Sequence, residues 1–462
     1  MNWDFLIKDR PSLTVTTDSR RVTPGCIFVA IKGEHFDGND FVEQAQKDGA
    51  AYIIRGENAL SELQDLARAW RRELALPILG ITGTNGKTTT KELMAAVLSQ
   101  RYQLHYTQGN YNNSLGVPLT LLQITRQHQM AIVEMGASHP GDIRELVEVA
   151  EPNFGLITNV GRAHLQGFGS FEGVKQTKAE LYDYLIAHNG TVFINEDNPD
   201  LQQMWSHALS SSPSPSPYLP PYKGGLRWVS LPCPMRERVG VRVYHTSPMP
   251  TGTHLVGSYN AENIAAAMAV GEFFGVDRDL ALEAIRAYIP TNNRSQAVKT
   301  EHNDLVVDAY NANPTSMAAS IQSFLHEQTA QPITNHHSPI TSPLREIGDS
   351  FSTKSPSGDS SSSSPTGGSR IGAHPTFILG EMRELGEYSH LEHQNIVNML
   401  LENKMTDVYL VGQEYKQTTA PYPIFDDVTA LMDYLTAHPL HNKRILIKGS
   451  RGNQLEKILP LL

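Results

Sequence analysis

The chain reads as an α/β protein of three domains built on parallel sheets, and three observations predict it. At 462 residues it exceeds one ordinary domain, and at ~150 residues per domain the length allows about three. Short β-rich apolar runs alternate with longer stretches of helical periodicity almost end to end. Such strand–helix alternation belongs to parallel sheets with helices packed on their faces. Finally, 40% of the residues are hydrophobic and 19% charged, so most of the chain can bury real cores.

Taken in order, apolar runs at 27–31, 51–54, 78–82, 131–135, 155–160 and 191–194 read as buried strands. The series continues at 305–310, 376–380, 407–411 and 444–448. Helical spacing lies between them, for example at 61–74, 88–99, 174–187, 260–274 and 391–401. No fixed-period repeat of solenoid type interrupts the pattern. Two segments do break it. Residues 210–225 (SSSPSPSPYLPPYKGG) read as an exposed loop. Residues 332–375 are almost free of large apolar side chains after Leu344. Such a composition cannot bury enough apolar area to offset the entropy of ordering it, so a disordered insertion inside a domain is expected.

Charge and cysteine usage exclude several classes. Lys plus Arg is 38 against 48 Asp plus Glu, a formal net charge of -10. The basic footprint of a nucleic-acid binder is missing, so no nucleic acid is expected as a partner and any anionic ligand needs local binding devices. No apolar run approaches the ~18 residues of a membrane span, so no transmembrane segment is expected. The opening MNWDFL carries no signal-peptide pattern. Two distant cysteines, Cys26 and Cys233, rule out a disulfide scaffold and point to a reducing compartment. A cytoplasmic monomer is the expectation.

The strongest local signal is at 77–89, PILGITGTNGKTT. A buried strand feeds a glycine-rich turn ending in Gly86-Lys87-Thr88 at a helix start. Gly83, Thr84, Asn85 and Gly86 turn backbone N–H groups into a common concavity, and the helix N-terminus adds its positive end. Lys87 supplies a charge for the β/γ-phosphates, and the Thr88 hydroxyl, followed by Thr89, suits Mg²⁺. The strict pattern needs a glycine with four residues between it and Gly86, but Ile81 stands there and Gly80 is one place early. This is a variant phosphate loop, and ATP or GTP is the expected ligand.

Downstream signals are individually ambiguous. Glu134 ends the strand in AIVEMGA (131–137), where both an Mg²⁺ ligand and a solvated acid fit. His164, in GRAHLQGFG (161–169), is by itself more often a structural histidine. Lys178, in KQTKAE (175–180), alone reads as a surface helix lysine.

Together, the phosphate loop and these three turns resemble the Mur ligases, which share a fold with folylpolyglutamate synthase. Such enzymes activate a carboxylate with ATP and join it to an amine. The resemblance implies that Glu134 and His164 bind Mg²⁺ and that Lys178 carries a CO₂-derived carbamate. In GSYNAEN (257–263) it places Asn263 at the adenine edge. In PTNNRSQ (290–296) it makes Arg294 a phosphate contact, although the usual Pro-Gly-Arg form has become Asn-Asn-Arg. In VVDAYNANP (306–314) it makes Asp308 the ribose ligand.

The segments TDSRRV (17–22), PGCIFVAIKG (24–33) and FDG (36–38) resemble the family's uridine-nucleotide module. Ser19, Arg20 and Lys32 suit a sugar diphosphate there, since small hydroxyls and cations bind phosphate oxygens. YTQGNYNNSLGVP (106–118) matches the substrate loop with Asn112 and Asn113. DAYNANPTSM (308–317), GEMRELGE (380–387) and IKGSR (447–451) resemble the branch that adds D-alanyl-D-alanine. The Asp-Asn-Pro at 197–199 is a chance match to another branch, because Asp200 follows it. The resemblance implies a uridine-nucleotide domain at 1–76, a central ATPase domain at 77–296 and a C-terminal Rossmann-like domain at 297–462. The implied substrates are UDP-N-acetylmuramoyl-tripeptide and D-alanyl-D-alanine, with ATP and Mg²⁺, and Lys448 adds stabilising charge from the last domain. Another ATP-dependent ligase of the Mur or folylpolyglutamate type and a P-loop ATPase without ligase activity are the alternatives.

Overall fold

The computed structural model describes residues 3–33, 36–211, 240–290, 293–327 and 375–462. Most of the expected Ser/Pro loop and nearly all of the 332–375 insertion lie outside the described residues. Among those described, the strands form three sheets. The first holds β1 (Val15–Thr16), β2 (Ile27–Val29) and β3 (Tyr52–Ile54), all parallel.

The second sheet holds β4 (Ile78–Thr82), β5 (Leu104–Tyr106), β6 (Met130–Glu134), β7 (Phe154–Ile157), β8 (Thr191–Asn195) and β9 (Gly240–Tyr244). Its order is β5-β6-β4-β7-β8-β9 and every pairing is parallel. The central strands are continuous apolar runs because helices cover both faces. Leu79 and Ile81 face the helices Lys87–Leu98 and Asn260–Phe273, while Ile78 and Val133 face Asp142–Ala150 and Phe171–Ala187.

The helix Ala59–Leu74 repeats apolar residues at Leu63, Leu66, Ala67, Trp70 and Leu74, a stripe of helical period. That stripe meets Val117, Leu121, Leu146 and Val147 of the second sheet's helices. Trp70 Nε1 donates to Ile124 O at 2.9 Å, and the buried Arg71 donates to Ala150 O at 3.2 Å and to Asn153 Oδ1 at 2.9 Å. The core therefore runs without a break from the first sheet into the second.

The third sheet holds β10 (Gln296–Lys299), β11 (Asp304–Asp308), β12 (Pro375–Gly380), β13 (Val408–Val411), β14 (Ile424–Phe425) and β15 (Arg444–Lys448). Its order is β10-β11-β15-β12-β13-β14, parallel except for the β10–β11 hairpin. This is the doubly wound, Rossmann-like arrangement with one antiparallel edge. No helix among the described residues is long and apolar enough to cross a membrane.

Candidate active site

In the second sheet the chain leaves β4 towards β5 but leaves β7 towards β8. The crevice outside the carboxyl ends of β4 and β7 is thus the topological switch point, where open α/β sheets bind ligands. A cavity of about 720 Å³ lies there, lined by the phosphate loop, Glu134, Asn159 and Asn263, and also by Asp308, Tyr310 and Lys448 of the third sheet.

The loop is built by its glycines. Gly83 has φ +141° and a Cβ there would stand 2.1 Å from Thr158 Oγ1; Gly86 has φ +77° and a Cβ would stand 2.4 Å from Asn263 Oδ1. Only glycine fits both the backbone and the space. Gly80 sits inside β4 against Met135, Pro152 and Leu181, so it is a strand residue, and the spacing departure leaves the loop intact. Thr84 N donates to Asn159 O at 2.9 Å, Asn85 N to Asn159 Oδ1 at 2.9 Å, and Thr158 Oγ1 to Asn85 O at 2.6 Å. Lys87 opens the helix, and its Nζ donates to Gly83 O at 2.7 Å and Thr84 O at 3.0 Å. Burial lowers its pKa to about 8, opposed by Glu134 and assisted by the Arg294 charge.

Glu134 is only 1% exposed, so the solvated reading is wrong. Its Oε1 accepts from Thr88 Oγ1 at 3.2 Å and Asn112 Nδ2 at 2.9 Å, and Lys91 Nζ lies 3.5 Å from Oε2. That second oxygen is buried with no hydrogen-bond partner. A buried carboxylate with one oxygen free of hydrogen bonds and a threonine hydroxyl on the other is a hard oxygen donor set, the type that fits Mg²⁺. Among the described residues, no three His, Cys, Asp or Glu side chains converge as a metal-binding group.

His164, in the left-handed region at φ +52°, opens the short helix Leu165–Phe168. Its Nδ1 contacts Glu384 Oε2 of the loop after β12. Burial lowers its pKa, and the Glu384 carboxylate pulls the other way. Lys178 is not a surface lysine: it is 2% exposed, with Nζ 5.7 Å from the centroid of the Phe168 ring. Burial, then the charge of Lys87, pushes its pKa well down.

Asn263 Oδ1 accepts from Thr90 Oγ1 at 3.0 Å and its Nδ2 donates to Asn260 Oδ1 at 2.8 Å. Its amide thus ties the phosphate-loop helix to the Asn260–Phe273 helix at the cavity wall. Thr89 is buried beside it. Asn113 Oδ1 accepts from Gly116 N at 2.8 Å, starting the next helix. Asp308 and Lys448 are paired through Lys448 Nζ and Asp308 Oδ2, because the parallel β11–β15 register sets them side by side. Ser19, Arg20 and Lys32 do not line the cavity. They stand at the first sheet, where the exposed Arg20 pairs with Asp18 at 2.9 Å.

Sequence reasoning missed the bonds that join the second and third sheets. Asn85 and Asn313 exchange amide hydrogen bonds, the tighter at 2.7 Å. Arg162 pairs with Glu392 at 2.9 Å, and Arg162 N donates to Thr315 Oγ1 at 3.0 Å. Asn313 also caps the helix Pro314–His326 in a full capping box with proline at the first position, and Asn-Pro was the available signal. Lys91 carried no signal beyond its helix.

A glycine loop at a switch point, a half-buried lysine on it and an acid at the neighbouring strand end define a P-loop nucleotide-binding protein. The family model described as Mur ligase middle domain matches residues 81–271, and the one described as Mur ligase family, catalytic domain, matches 14–101. A Bacillus subtilis (strain 168) relative, UDP-N-acetylmuramoyl-tripeptide--D-alanyl-D-alanine ligase, is 28% identical over 96% of this chain and 92% of its own. The Haemophilus influenzae protein of the same name is 31% identical over 96% and 92%. The chain belongs to the Mur ligase family. The crystal structure of MurF ligase from Thermotoga maritima in complex with ADP superposes with a TM-score of 0.73 at 23% identity, covering 98% of each chain. That likeness carries the fold.

Proposed function

We propose that this chain is an ATP-dependent ligase joining UDP-N-acetylmuramoyl-tripeptide to D-alanyl-D-alanine, in peptidoglycan precursor synthesis. The tripeptide carboxylate attacks the γ-phosphorus of ATP, giving an acyl phosphate and ADP. The dipeptide amine then attacks the acyl carbon, and phosphate leaves as the amide forms and the amine loses its proton.

The observation that carries the reading is the shared cavity. Phosphate-loop residues enter it from the second sheet, and Asp308 and Lys448 enter it from the third. Two substrates held by different units can react only if one space receives both. Lys87 and Arg294 neutralise charge on the transferring phosphoryl group, a task of positioning and electrostatics. Thr88 and Glu134 would hold Mg²⁺, which when bound screens the phosphate charge against the incoming carboxylate. Burial pushes the Lys178 ammonium towards the neutral amine, the form that reacts with CO₂ to give a carbamate. With His164 it would then add oxygen and nitrogen ligands near the loop. Asn263 takes the adenine side, Asp308 the ribose, and Lys448 supports the reacting end. Asn112 and Asn113 face the muramyl substrate, and Ser19, Arg20 and Lys32 take its uridine diphosphate at the first sheet. Residues 1–76, 77–296 and 297–462 divide these tasks, and the protein works as a cytoplasmic monomer.

Phosphate release should require UDP-muramyl-tripeptide, ATP, Mg²⁺ and D-alanyl-D-alanine together. Equal turnover with folate and glutamate, or hydrolysis of ATP with neither partner present, would overturn the reading.

A further inference from the structure

Arg294 leaves the chain at an unusual place. It lies just before β10, between Asn293 at φ +54° and Ser295 at φ +46°. Two neighbouring non-glycine residues in the left-handed region are held only where surrounding bonds over-determine them. Those bonds are present: Ala309 N donates to Asn293 O at 3.0 Å, and Ser295 Oγ lies 2.8 Å from Tyr259 OH. The kink turns Arg294 out of the hairpin and into the cavity.

No hydrogen bond or ion pair holds the guanidinium to another described residue. Its contact is the Tyr310 ring, with Cζ 3.9 Å from the ring centroid. Tyr310 follows β11, and its backbone oxygen accepts from Arg451 N at 3.0 Å. Arg451 Cζ stands 5.6 Å from the same centroid. Tyr310 belongs to none of the hydrophobic cores; it lines the cavity. The geometry matters because a guanidinium has two distinct surfaces. Its face can stack on a ring, while all five N–H donors lie in its plane. A carboxylate partner would consume those donors. An aromatic partner fixes the group and leaves them free for phosphate oxygens.

We propose that Tyr310 is a positioning residue: its ring holds Arg294 in the orientation that presents the in-plane donors to the terminal phosphate of the bound nucleotide. Arg294 comes from the segment between the two sheets, and the third sheet aims it. The inference rests on the reading of Arg294 as a phosphate contact. Arg294 and Lys87 line the same cavity, so both cations face the space that would hold one phosphate group.

The test compares affinity for ADP and for the non-hydrolysable triphosphate AMP-PNP, with Mg²⁺, by titration calorimetry. It needs no muramyl substrate, so its outcome is separate from that of the ligase assay. Tyr310→Phe keeps the ring and should bind both nucleotides as the wild type does. Tyr310→Leu should weaken AMP-PNP by about tenfold, which is 1.4 kcal/mol and inside the range of a desolvated cation–π contact, with ADP unchanged. Arg294→Ala should lose AMP-PNP affinity, and adding Tyr310→Leu to it should cost nothing more. Wild-type AMP-PNP binding by Tyr310→Leu would overturn the proposal. So would equal losses for ADP and AMP-PNP, a Tyr310→Phe variant as weak as Tyr310→Leu, or losses that multiply in the double variant.

Discussion

Replacing Lys91 by methionine isolates what the buried charge pair does for the site. Lys91 and Glu134 are each 1% exposed, and Lys91 Nζ stands 3.5 Å from Glu134 Oε2. Methionine keeps an unbranched apolar stem, one atom shorter, and removes the ammonium. Glu134 Oε1 retains Thr88 and Asn112, but Oε2 has no hydrogen bond to fall back on. Removing one partner of a buried pair costs about 3–5 kcal/mol. For a unit of this size each kcal/mol lowers the melting temperature by roughly 2–4 °C, so the transition should fall by roughly 6–20 °C. Mg²⁺ with ADP should restore part of the deficit, because a divalent cation at Glu134 replaces the lost counter-charge. The assay is differential scanning calorimetry of wild type and Lys91→Met, each with and without Mg²⁺ and ADP. A variant as stable as wild type, or a deficit untouched by Mg²⁺ and ADP, would refute the argument that Glu134 is a buried charge awaiting a cation.

Lys178→Ala should fold, bind the UDP substrate and lose most of its turnover, and short carboxylates in the assay should restore part of it; full activity in the variant would sink the carbamate role. Lys87 has a pKa near 8, below its ordinary value, so its ammonium is complete below that pH and lost above it. Nucleotide affinity should therefore fall as pH rises through 8, and calorimetry finding a flat profile would contradict this. The unliganded fold moves the other way: between the lowered and the ordinary pKa the unfolded chain binds more protons, so stability gains from Lys87 as pH rises there. Gly83→Ala forces a Cβ to 2.1 Å from Thr158 Oγ1 at φ +141°. Backbone strain of ~1–3 kcal/mol on the loop should lower ADP affinity by about tenfold or more, and wild-type ADP titration curves would show that the loop tolerates a side chain.

The central strands were legible because burial on both faces makes them continuous apolar runs, and β4 and β15 begin and end where the sequence predicts. The two- and three-residue strands β1, β5 and β14 were not. They carry too few residues for periodicity and exist only because a neighbour pairs with them. At the site, the phosphate loop was readable from its glycines, while Glu134, His164 and Lys178 each stood open between a functional and an ordinary reading. Burial removed the surface alternative for two of these. Glu134 is enclosed by Thr88, Asn112 and Lys91, and Lys178 by the packing beneath Phe168.

By itself the sequence determined what is local: the alternation that builds parallel sheets and the glycine turn ending in Lys87. Each depends on neighbours within a few residues, whose backbone preferences and periodicity are written in order along the chain. Only the tertiary structure decided that Asp308 and Lys448, far apart in sequence, form one pair, that Asn85 meets Asn313, and that the Arg294 guanidinium lies on Tyr310. Strand order sets those meetings. A charge acquires its partner, its burial and hence its protonation state from whatever the sheet places beside it, and no local pattern encodes that neighbour.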